Sequence, residues 1–170
     1  MIAVLQRVER ASVTTTAPTG DPQTSSIGPG LVALVCAVVG DGPAEADWIA
    51  DKIALLRVFP DSNGKMNRSV MDVGGAVLVV SQFTLAGDLK KGTRPSFSRA
   101  AAPEVASPLV DRVAQQLSMT HGLTVGAGVF GASMRVELVN DGPVTIILDR
   151  PGESSAGRSG SAAPCRTPHS

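Results

Sequence analysis

The sequence predicts an α+β fold, a mainly antiparallel β sheet or barrel with two helices. Three observations lead to this prediction. Apolar runs of strand length open the chain, recur in its middle and return after residue 123. Two segments with helical start signals and apolar residues at helical spacing lie between these runs. The resulting order of strand, strand, helix, strand, helix, strand, strand is that of an α+β domain.

The strands are predicted from their apolar patterns. Residues 1–14 alternate in polarity and are rich in β-branched types, which favours a first strand. The nearly continuous apolar runs IGPGLVALVCAVV (27–39) and GGAVLVVSQFTLAG (74–87) indicate buried strands, the second running into polar residues. Residues 123–149 return to strands. Residues 15–26 hold two prolines and many small polar side chains, so they are predicted to form a flexible loop.

The helices are predicted from their start signals and periodicity. The first helix is expected within residues 40–59, where Pro43 suits the first helical turn and an apolar stripe follows. Residues 60–75 are rich in turn residues. The second helix is expected over residues 102–118. Pro108 is awkward there, and it predicts either a kink or a helix that starts only after it.

Length and composition bound the organisation of the chain. The 170 residues suffice for one domain, which we place at residues 1–150. Residues 151–170 hold almost nothing to bury, so we expect a disordered and dispensable tail. The two cysteines, Cys36 and Cys165, suggest no disulfide framework, which favours a reducing compartment. The first residues do not resemble a signal peptide and no apolar stretch is long enough to span a membrane, so we expect a soluble cytoplasmic protein without a membrane partner.

Charge and aromatic content restrict the nucleic-acid partners. Fifteen basic and fifteen acidic residues give a formal net charge of zero, hence no global field for a polyanion. Aromatic residues are 3% of the chain, and tyrosine is absent, so stacking platforms for bases are scarce. We therefore expect no DNA partner, and an RNA partner only through a local patch.

The residue types in this sequence argue against several familiar kinds of catalytic and binding site. His121 is the only histidine before residue 151, and it follows the second helix, so it offers no Ser-His or Cys-His pair. Histidines and cysteines are never paired at zinc-ligand spacing, and the glycines of residues 126–132 have the wrong spacing for a dinucleotide site. We expect neither a metal nor a cofactor, which leaves hydroxyls, amides and backbone groups to do the chemistry.

The stretch SQFTL contains such groups at the end of a predicted buried strand. Ser81, Gln82 and Thr84 would sit on a rigid base, beside backbone N–H groups that are freed as the strand ladder ends. Such N–H groups can stabilise a developing oxyanion. The alternative is that these polar residues only satisfy the strand end and the following turn. The residues alone favour this second interpretation without excluding the first.

The stretch VNDGPVT raises a conflict between two turn rules. Asp141-Gly142 lies between two apolar runs and would ordinarily predict a two-residue hairpin turn. The next residue, Pro143, has no N–H to close such a turn. A type II′ turn with Gly142 in its first central position is the remaining ordinary interpretation.

The pair of motifs resembles the signatures of the D-aminoacyl-tRNA deacylase family. The family's signatures are SQxxTL and NxGPVT, and the chain carries SQFTL at residues 81–85 and NDGPVT at residues 140–145. LQRVERASV, IGPGLVALV, RVFPDSNGKMN, RPSFS and FGASMRVELV also look like that family, so the resemblance extends from residue 1 to about 149. The chain departs from the family pattern in its longer loop at residues 15–26 and in the extra tail.

The resemblance implies a fold, a reaction and a set of site residues. It implies the deacylase fold in a homodimer whose active sites lie at the subunit interface. It implies hydrolysis of the ester between a D-amino acid and the 3′ end of tRNA, which releases the free amino acid, and removal of glycine from mischarged tRNA(Ala). No metal is needed, and the family's Gly-Pro bond is cis and enters the partner's site. The residues implied are Ser81, Gln82, Phe83 and Thr84 for catalysis, and Gly142, Pro143, Arg7 and Asn140 for substrate binding.

The remaining side chains have two interpretations each. Arg7 either holds the Gly-Pro segment through its carbonyls or is a plain strand arginine. Lys90, Lys91 and Arg94 either contact acceptor-stem phosphates or belong to a solvated charged loop. Thr84 has no neighbouring base, so it is expected to position the substrate while water or the tRNA 2′-hydroxyl takes part in the chemistry.

Two other functions compete with the deacylase. One is an editing domain that removes a wrong L-amino acid, like the domain attached to archaeal threonyl-tRNA synthetases; the intact GPVT motif argues against it. The other is a non-catalytic dimeric RNA-binding module. The neutral charge and the scarcity of aromatic residues argue against general RNA binding.

Overall fold

The computed structural model describes residues 1–16, 22–90 and 92–150. The elements are the strands β1 Ile2–Thr15, β2 Thr24–Ile27 and β3 Gly30–Cys36, the helix α1 Pro43–Leu55, the strands β4 Phe59–Pro60, β5 Met66–Arg68 and β6 Ala76–Ser81, a 3-10 turn Phe83–Ala86, the helix α2 Pro103–Met119, and the strands β7 Thr124–Ala127 and β8 Met134–Asp149.

The strand β1 organises the main sheet. One edge of β1 pairs antiparallel with β3 through its first half and with β2 through its second half, while β8 runs antiparallel along the other edge. The pairs β3–β6 and β6–β7 are parallel. Parallel neighbours need crossover connections, and α1 and α2 lie within those two crossovers. The sheet is mixed but its antiparallel pairings dominate, so the α+β prediction with two helices is confirmed.

The main core lies between the sheet and the two helices, and it is aliphatic as the composition requires. Ile49 and Ile53 of α1 and Val113 and Leu117 of α2 are completely buried against inward-facing residues of β1, β3 and β6. Burying an aliphatic side chain of this size stabilises the folded state by about 1.5–3 kcal/mol. The core thus fixes the ends of β3 and β6, which is where the polar SQFTL segment begins.

Three local predictions need correction. The expected loop at residues 15–26 contains β2 at its end, because Thr24–Ile27 pairs with β1. The turn-rich residues 60–75 contain β5, which pairs with β4. The helix α2 begins at Pro103, so the later start suggested by Pro108 is wrong.

Two expectations are not addressed by the described residues. The tail, residues 151–170, and part of the long loop, residues 17–21, lie outside them. The helices that are described include none that is both long and apolar enough to cross a membrane.

Candidate functional site

The SQFTL segment forms a turn fixed to the end of the sheet. Ser81 is the last residue of β6 and pairs with Val35 of β3. The Gln82 N–H then donates to the Val35 carbonyl at 2.8 Å, and the chain enters the 3-10 turn. Phe83 and Thr84 are the first two residues of that turn. Their N–H groups have no acceptor one turn earlier, as expected at the start of a helix, and the described backbone offers them no other hydrogen-bond partner.

Two side chains of this turn contact each other. The Gln82 side-chain amide nitrogen donates to the Thr84 hydroxyl. Thr84 and Phe83 are exposed, whereas Ser81 and Gln82 are half-buried. An amide is not a base at neutral pH, so Gln82 can hold the threonine hydroxyl but cannot take its proton. His121 is elsewhere, 2.9 Å from Asp51 of α1. This geometry suits orientation of a substrate better than a threonine nucleophile.

A cavity of about 490 Å³ opens beside the turn. Its walls come from the ends of β3 and β6, the 3-10 turn, the start of α2 and the segment after β7. They are mostly apolar and have few polar groups, an arrangement common in small-molecule sites. The lining includes Cys36, Ser81, Gln82, Phe83, Phe97 and Phe130.

Cys36 lines this cavity from the core side. Burial raises the pKa of its thiol, and a hydrogen bond from the Ala86 backbone N–H opposes the rise. The thiol faces the Phe83 carbonyl, with sulfur and oxygen 3.6 Å apart. A thiol with a raised pKa is a poor nucleophile, so Cys36 supports the 3-10 turn and does not react.

The VNDGPVT segment is not a hairpin. Asn140 pairs with Val8 and Thr145 pairs with Gln6, so both flanks of the motif belong to the same strand and run along β1. Residues 141–144, which we call the Gly-Pro loop, bulge out opposite Arg7 alone. The Gly142–Pro143 peptide bond is cis, as the resemblance implies, and Gly142 has a φ of 135° that disfavours any side chain. Gly142 and Pro143 are exposed at the tip of this bulge.

Arg7 holds the Gly-Pro loop at its base. Its Nε lies 2.9 Å from Asp141 Oδ2 and donates to the Asp141 carbonyl at 3.2 Å. Its Nη1 donates to the Val58 carbonyl, and its guanidinium lies 5.9 Å from the centre of the Phe59 ring. Arg7 is only 9% exposed, so the interpretation of a plain exposed strand arginine is wrong. The role of Arg7 in substrate selection stays a prediction.

Asn140 is at the start of the bulge with an unusual environment. Its side-chain nitrogen and oxygen are both inaccessible to solvent, yet neither has a hydrogen-bond partner within the described part of the chain. A buried amide without partners costs free energy, on the order of 1–3 kcal/mol for each group. A partner from outside the single chain would remove that cost.

Two of the three basic residues are exposed on the segment that precedes the cavity-lining Phe97. Lys90 and Arg94 are exposed, and Lys91 lies outside the described residues. The loop, residues 89–95, is closed at its base because Asp88 and Ser96 exchange two backbone hydrogen bonds of 2.8 and 3.0 Å. Across residues 1–16, 22–90 and 92–150, no three metal-ligating side chains come together.

The two signature motifs do not meet within one chain. Arg7, which lies beside the Gly-Pro loop, pairs with Leu31 of β3, and Leu31 pairs with Val77 of β6. Along β6, Val77 comes four residues before Ser81. Three strand spacings separate β8 from β6. At about 4.8 Å per strand and about 3.3 Å per residue, the separation is roughly 20 Å along the sheet. The cavity lining likewise includes no residue of the Gly-Pro loop.

Two residues near the site were not singled out from the sequence. Cys36 looked like an ordinary buried residue in an apolar run, because its contact with the 3-10 turn joins segments that are distant along the chain. Phe97 lies beside Phe83, with ring centres 5.0 Å apart. The sequence feature that could have identified Phe97 is an aromatic residue beside a basic segment, in a chain with only four phenylalanines and one tryptophan.

Known proteins resemble the chain across its folded length. The family model described as D-Tyr-tRNA(Tyr) deacylase matches residues 4–149. A D-aminoacyl-tRNA deacylase of Heliobacterium modesticaldum is 56% identical over 155 residues, which cover 91% of this chain and all of the relative. A protein of the same name from Ruegeria pomeroyi is 54% identical over 149 residues, covering 88% of this chain and 99% of the relative.

Solved structures show the same fold. A structure named c-Myc DNA unwinding element binding protein superposes with a TM-score of 0.79 at 42% identity, over 89% of this chain and all of that one. A probable eukaryotic D-amino acid tRNA deacylase superposes with a TM-score of 0.74 at 16% identity, over 88% of this chain and 98% of that one, and supports the fold alone. With the family match over nearly all of the described residues and relatives above 50% identity, the chain belongs to the D-aminoacyl-tRNA deacylase family, whose members are hydrolases.

Proposed function

We propose that this protein hydrolyses the ester that joins a D-amino acid to the 3′ end of tRNA, and that it rejects L-amino acids. The observation that carries the proposal is the pairing of two features. One is the turn at Ser81–Thr84 beside a cavity of about 490 Å³, and the other is the exposed Gly-Pro loop held by Arg7. Family membership supports the general reaction, deacylation of aminoacyl-tRNA.

The reaction needs stabilisation of an oxyanion more than it needs a protein nucleophile. The N–H groups of Phe83 and Thr84 have no backbone acceptor among the described residues, and they directly follow a fixed strand end. They can donate to the ester carbonyl oxygen as negative charge develops there. Water attacks the carbonyl carbon and gives up a proton, the bond to the 3′-oxygen breaks, and that oxygen takes a proton, so the free amino acid and the tRNA 3′-hydroxyl are released. The ribose 2′-hydroxyl can take part by relaying the proton from the water to the 3′-oxygen. Gln82 and Thr84 orient the reacting groups.

Chiral selection is attributed to the backbone of the Gly-Pro loop. Arg7 donates to the Asp141 carbonyl, and the other carbonyls of the loop have no ladder partner on β1, so they can accept hydrogen bonds from a substrate ammonium. Gly142 has no side chain, which permits close approach of the amino acid. A D-amino acid directs its side chain away from the loop, whereas an L-amino acid would drive its side chain into the backbone. Glycine has no side chain to exclude, so glycyl-tRNA, including glycine mischarged on tRNA(Ala), is accepted as well.

The site is completed by a second subunit. The separation of roughly 20 Å between the motifs in one chain supports this arrangement. In a symmetric homodimer, the Gly-Pro loop of each subunit would enter the cavity of the other, giving two equivalent sites. The partnerless amide of Asn140 supports an additional contact at this interface, since buried amides are normally hydrogen-bonded.

The acceptor end of the tRNA is assigned to the basic loop. Lys90 and Arg94 are exposed there, on the segment that precedes the cavity-lining Phe97, and can neutralise phosphates near the 3′ end. A neutral chain with one local basic patch suits a substrate that is touched at few phosphates. We propose that the protein acts in the cytoplasm, where translation uses aminoacyl-tRNA.

The test is the loss of ester from three substrates that share one tRNA. The same amino acid is attached in its D and L forms, glycine serves as the third substrate, and hydrolysis without protein is subtracted. We expect rapid loss from D-aminoacyl- and glycyl-tRNA and none above background from the L form. Loss from the L form alone would favour the editing domain, and no loss from any substrate would favour a binding module.

The name of the 42% identical structure suggests DNA binding as a second function. The zero net charge and the few aromatic side chains of this chain argue against it. A gel-shift titration with duplex DNA, run beside a titration with tRNA, separates the two. We expect tRNA to bind more tightly at every salt concentration.

A trapping experiment tests the role of Thr84. If Thr84 only positions, Thr84→Ala lowers the rate but leaves it measurable, and quenched wild-type reactions contain no acylated protein. An acyl group on Thr84 in the wild type, detected by mass spectrometry and absent in the variant, would establish nucleophilic catalysis instead.

A further inference from the structure

The basic loop is joined to the 3-10 turn by one aromatic residue. Phe97 directly follows Ser96, whose backbone closes the loop against Asp88 with hydrogen bonds of 2.8 and 3.0 Å. The Phe97 ring meets the Phe83 ring edge to face, with centres 5.0 Å apart and planes inclined by 72°. Phe83 is in turn the first residue of the 3-10 turn. A single side chain thus connects the base of the loop with the start of the turn.

The aromatic pair is outside the hydrophobic core. Phe83 is 59% exposed and Phe97 is 37% exposed, and both line the cavity. The other contacts of the turn come from the sheet and the core side, through the Val35 carbonyl and the Cys36 thiol. Phe97 therefore links the turn to the segment that closes the basic loop.

The backbone of Phe97 is itself held by the segment that follows it. Its carbonyl accepts a hydrogen bond of 2.9 Å from the Ala100 N–H, and Ala100 forms a bridge with Val38 after the end of β3. Gly87, at the end of the 3-10 turn, packs closely beside the ring, since a Cβ there would lie 3.4 Å from it and 3.1 Å from the Thr84 carbonyl oxygen. The ring cannot move far without moving the base of the loop or the turn.

We propose that Phe97 is a positioning residue that sets the 3-10 turn for catalysis and couples it to the basic loop. Contact between that loop and tRNA phosphates steadies the loop base, Phe97 transmits this to Phe83, and the N–H groups of Phe83 and Thr84 are held where the oxyanion forms. The inference rests on the proposed function, because it takes the acceptor end of tRNA as the ligand of the loop.

The coupling predicts different effects on two substrates. One is a full-length D-aminoacyl-tRNA, and the other is the same D-amino acid esterified to adenosine, which has no phosphates. In the wild type, kcat should be higher for the tRNA than for the adenosine ester. In Phe97→Ala this advantage should disappear, and kcat on the tRNA should fall about ten-fold, since an edge-to-face pair contributes up to about 1.5 kcal/mol.

The controls separate positioning from folding and from binding. Phe97→Tyr keeps the ring and should restore kcat, whereas Phe97→Leu keeps apolar bulk without the edge-to-face contact and should not. Arg94→Ala should raise KM for the tRNA and lower its kcat toward that for the adenosine ester, because it removes a phosphate contact that steadies the loop. Thermal unfolding of all variants checks that the fold is retained.

The outcomes distinguish this inference from the function on which it rests. An active wild type with an unchanged kcat in Phe97→Ala, or with full rescue by Phe97→Leu, would overturn the role of Phe97 alone. A wild type that hydrolyses neither substrate would overturn both the inference and the proposed function.

Discussion

Arg7 shows how a single side chain organises this site without reacting. It is nearly buried, and it bridges Asp141 of the Gly-Pro loop and the Val58 carbonyl. It also occupies the position of β1 that lies opposite the bulge in β8. The planar guanidinium can serve several acceptors at fixed angles, which a lysine cannot reproduce. We therefore expect this residue to determine how firmly the loop is held.

Arg7→Ala should loosen the loop and lower the free energy of unfolding. Loss of hydrogen bonds from a charged donor costs about 1.5–3 kcal/mol, and Arg7→Lys should restore only part of it. The ratio of D- to L-aminoacyl-tRNA hydrolysis should fall, while a homodimer observed by ultracentrifugation should persist. Arg10→Ala removes an exposed arginine of the same strand and is the matched control. An unchanged D-to-L ratio in Arg7→Ala would contradict this role.

Gly142→Ala tests the backbone of the loop at its tip. A Cβ on Gly142 would lie 2.7 Å from the Val144 nitrogen and 3.3 Å from Arg7 Nη2, and the φ of 135° disfavours it further. Overpacking of this kind costs about 1–3 kcal/mol, so hydrolysis of the D-substrate should fall about ten- to a hundred-fold. The methyl group therefore deforms the loop itself before it meets any substrate.

Gly122→Ala is the control for this substitution. Gly122 also has a positive φ, of 66°, but a Cβ there meets nothing within 4 Å, and the residue follows α2 away from the site. It should lower the free energy of unfolding by about 1 kcal/mol through backbone strain alone and leave the rate unchanged. Equal rate losses in the two variants would show that Gly142 has no special role.

At the scale of elements, local sequence patterns predicted which segments form strands and helices better than they predicted which strands pair. The buried strands β3 and β6 and both helices follow from apolar runs and start signals. The proline in VNDGPVT correctly argued against a two-residue turn centred on Asp141-Gly142. The type II′ turn that remained as the ordinary interpretation is wrong, because both flanks of the motif belong to β8. What replaced the hairpin, one strand with a bulge along β1, depends on a partner more than a hundred residues away. The same holds for β2, whose polar sequence forms a strand only because β1 continues beside it.

The candidate site shows the same division. The signatures identified Ser81–Thr84 and the Gly-Pro loop, and turn chemistry explained why proline was significant. The support from Cys36 and Phe97 could not be read from the sequence, because each contact joins segments that are far apart along the chain. Tertiary contacts between such segments produce no hydrophobic periodicity in the sequence.

The contact between α1 and α2 includes an ion pair whose pH dependence can be stated. Arg112 donates to both carboxylate oxygens of Asp47, at 2.6 and 2.8 Å, and these bonds hold the pKa of Asp47 below its usual value. A depressed folded-state pKa contributes stability that is present above the unfolded pKa of Asp, about 3.9, and is lost as pH falls through the folded pKa. Both side chains are about 40% exposed, so the effect is modest and is weakened by salt.

Asp47→Asn measures this contribution. The variant should unfold at a slightly lower temperature than the wild type at pH 6 and low salt. The difference should shrink as pH falls below 4, and in 1 M salt. A difference that stays constant down to pH 2 would show that packing, not charge, accounts for the effect.

At the scale of the whole molecule, Arg150 connects distant parts of the fold. The Arg150 N–H donates to the Met1 carbonyl at 2.9 Å, and its guanidinium lies 5.4 Å from the centre of the Trp48 ring. These contacts join the end of β8 to the start of β1 and to α1. The domain boundary near residue 150 that composition suggests stays a prediction.

Two truncations test this boundary. Removal of residues 151–170 should leave both activity and thermal unfolding unchanged. Removal of Arg150 as well should lower the free energy of unfolding by about 1 kcal/mol, through the lost hydrogen bond and cation–π contact. Loss of activity or of the dimer on removing 151–170 alone would refute the dispensable tail.

The central claim is that each active site combines the turn of one subunit with the Gly-Pro loop of the other. Complementation between Thr84→Ala and Gly142→Ala tests it most directly, because a heterodimer of the two variants keeps one site with an intact turn and an intact loop. Random exchange of subunits makes about half of the dimers heterodimers, and each heterodimer has one intact site out of two. About a quarter of all sites should therefore be intact. The measurement is the initial rate of D-aminoacyl-tRNA hydrolysis after the two inactive or weakly active proteins are unfolded together and refolded. We predict a rate near a quarter of the wild type, well above either variant refolded alone; a mixture no more active than the average of the two variants would contradict the shared site.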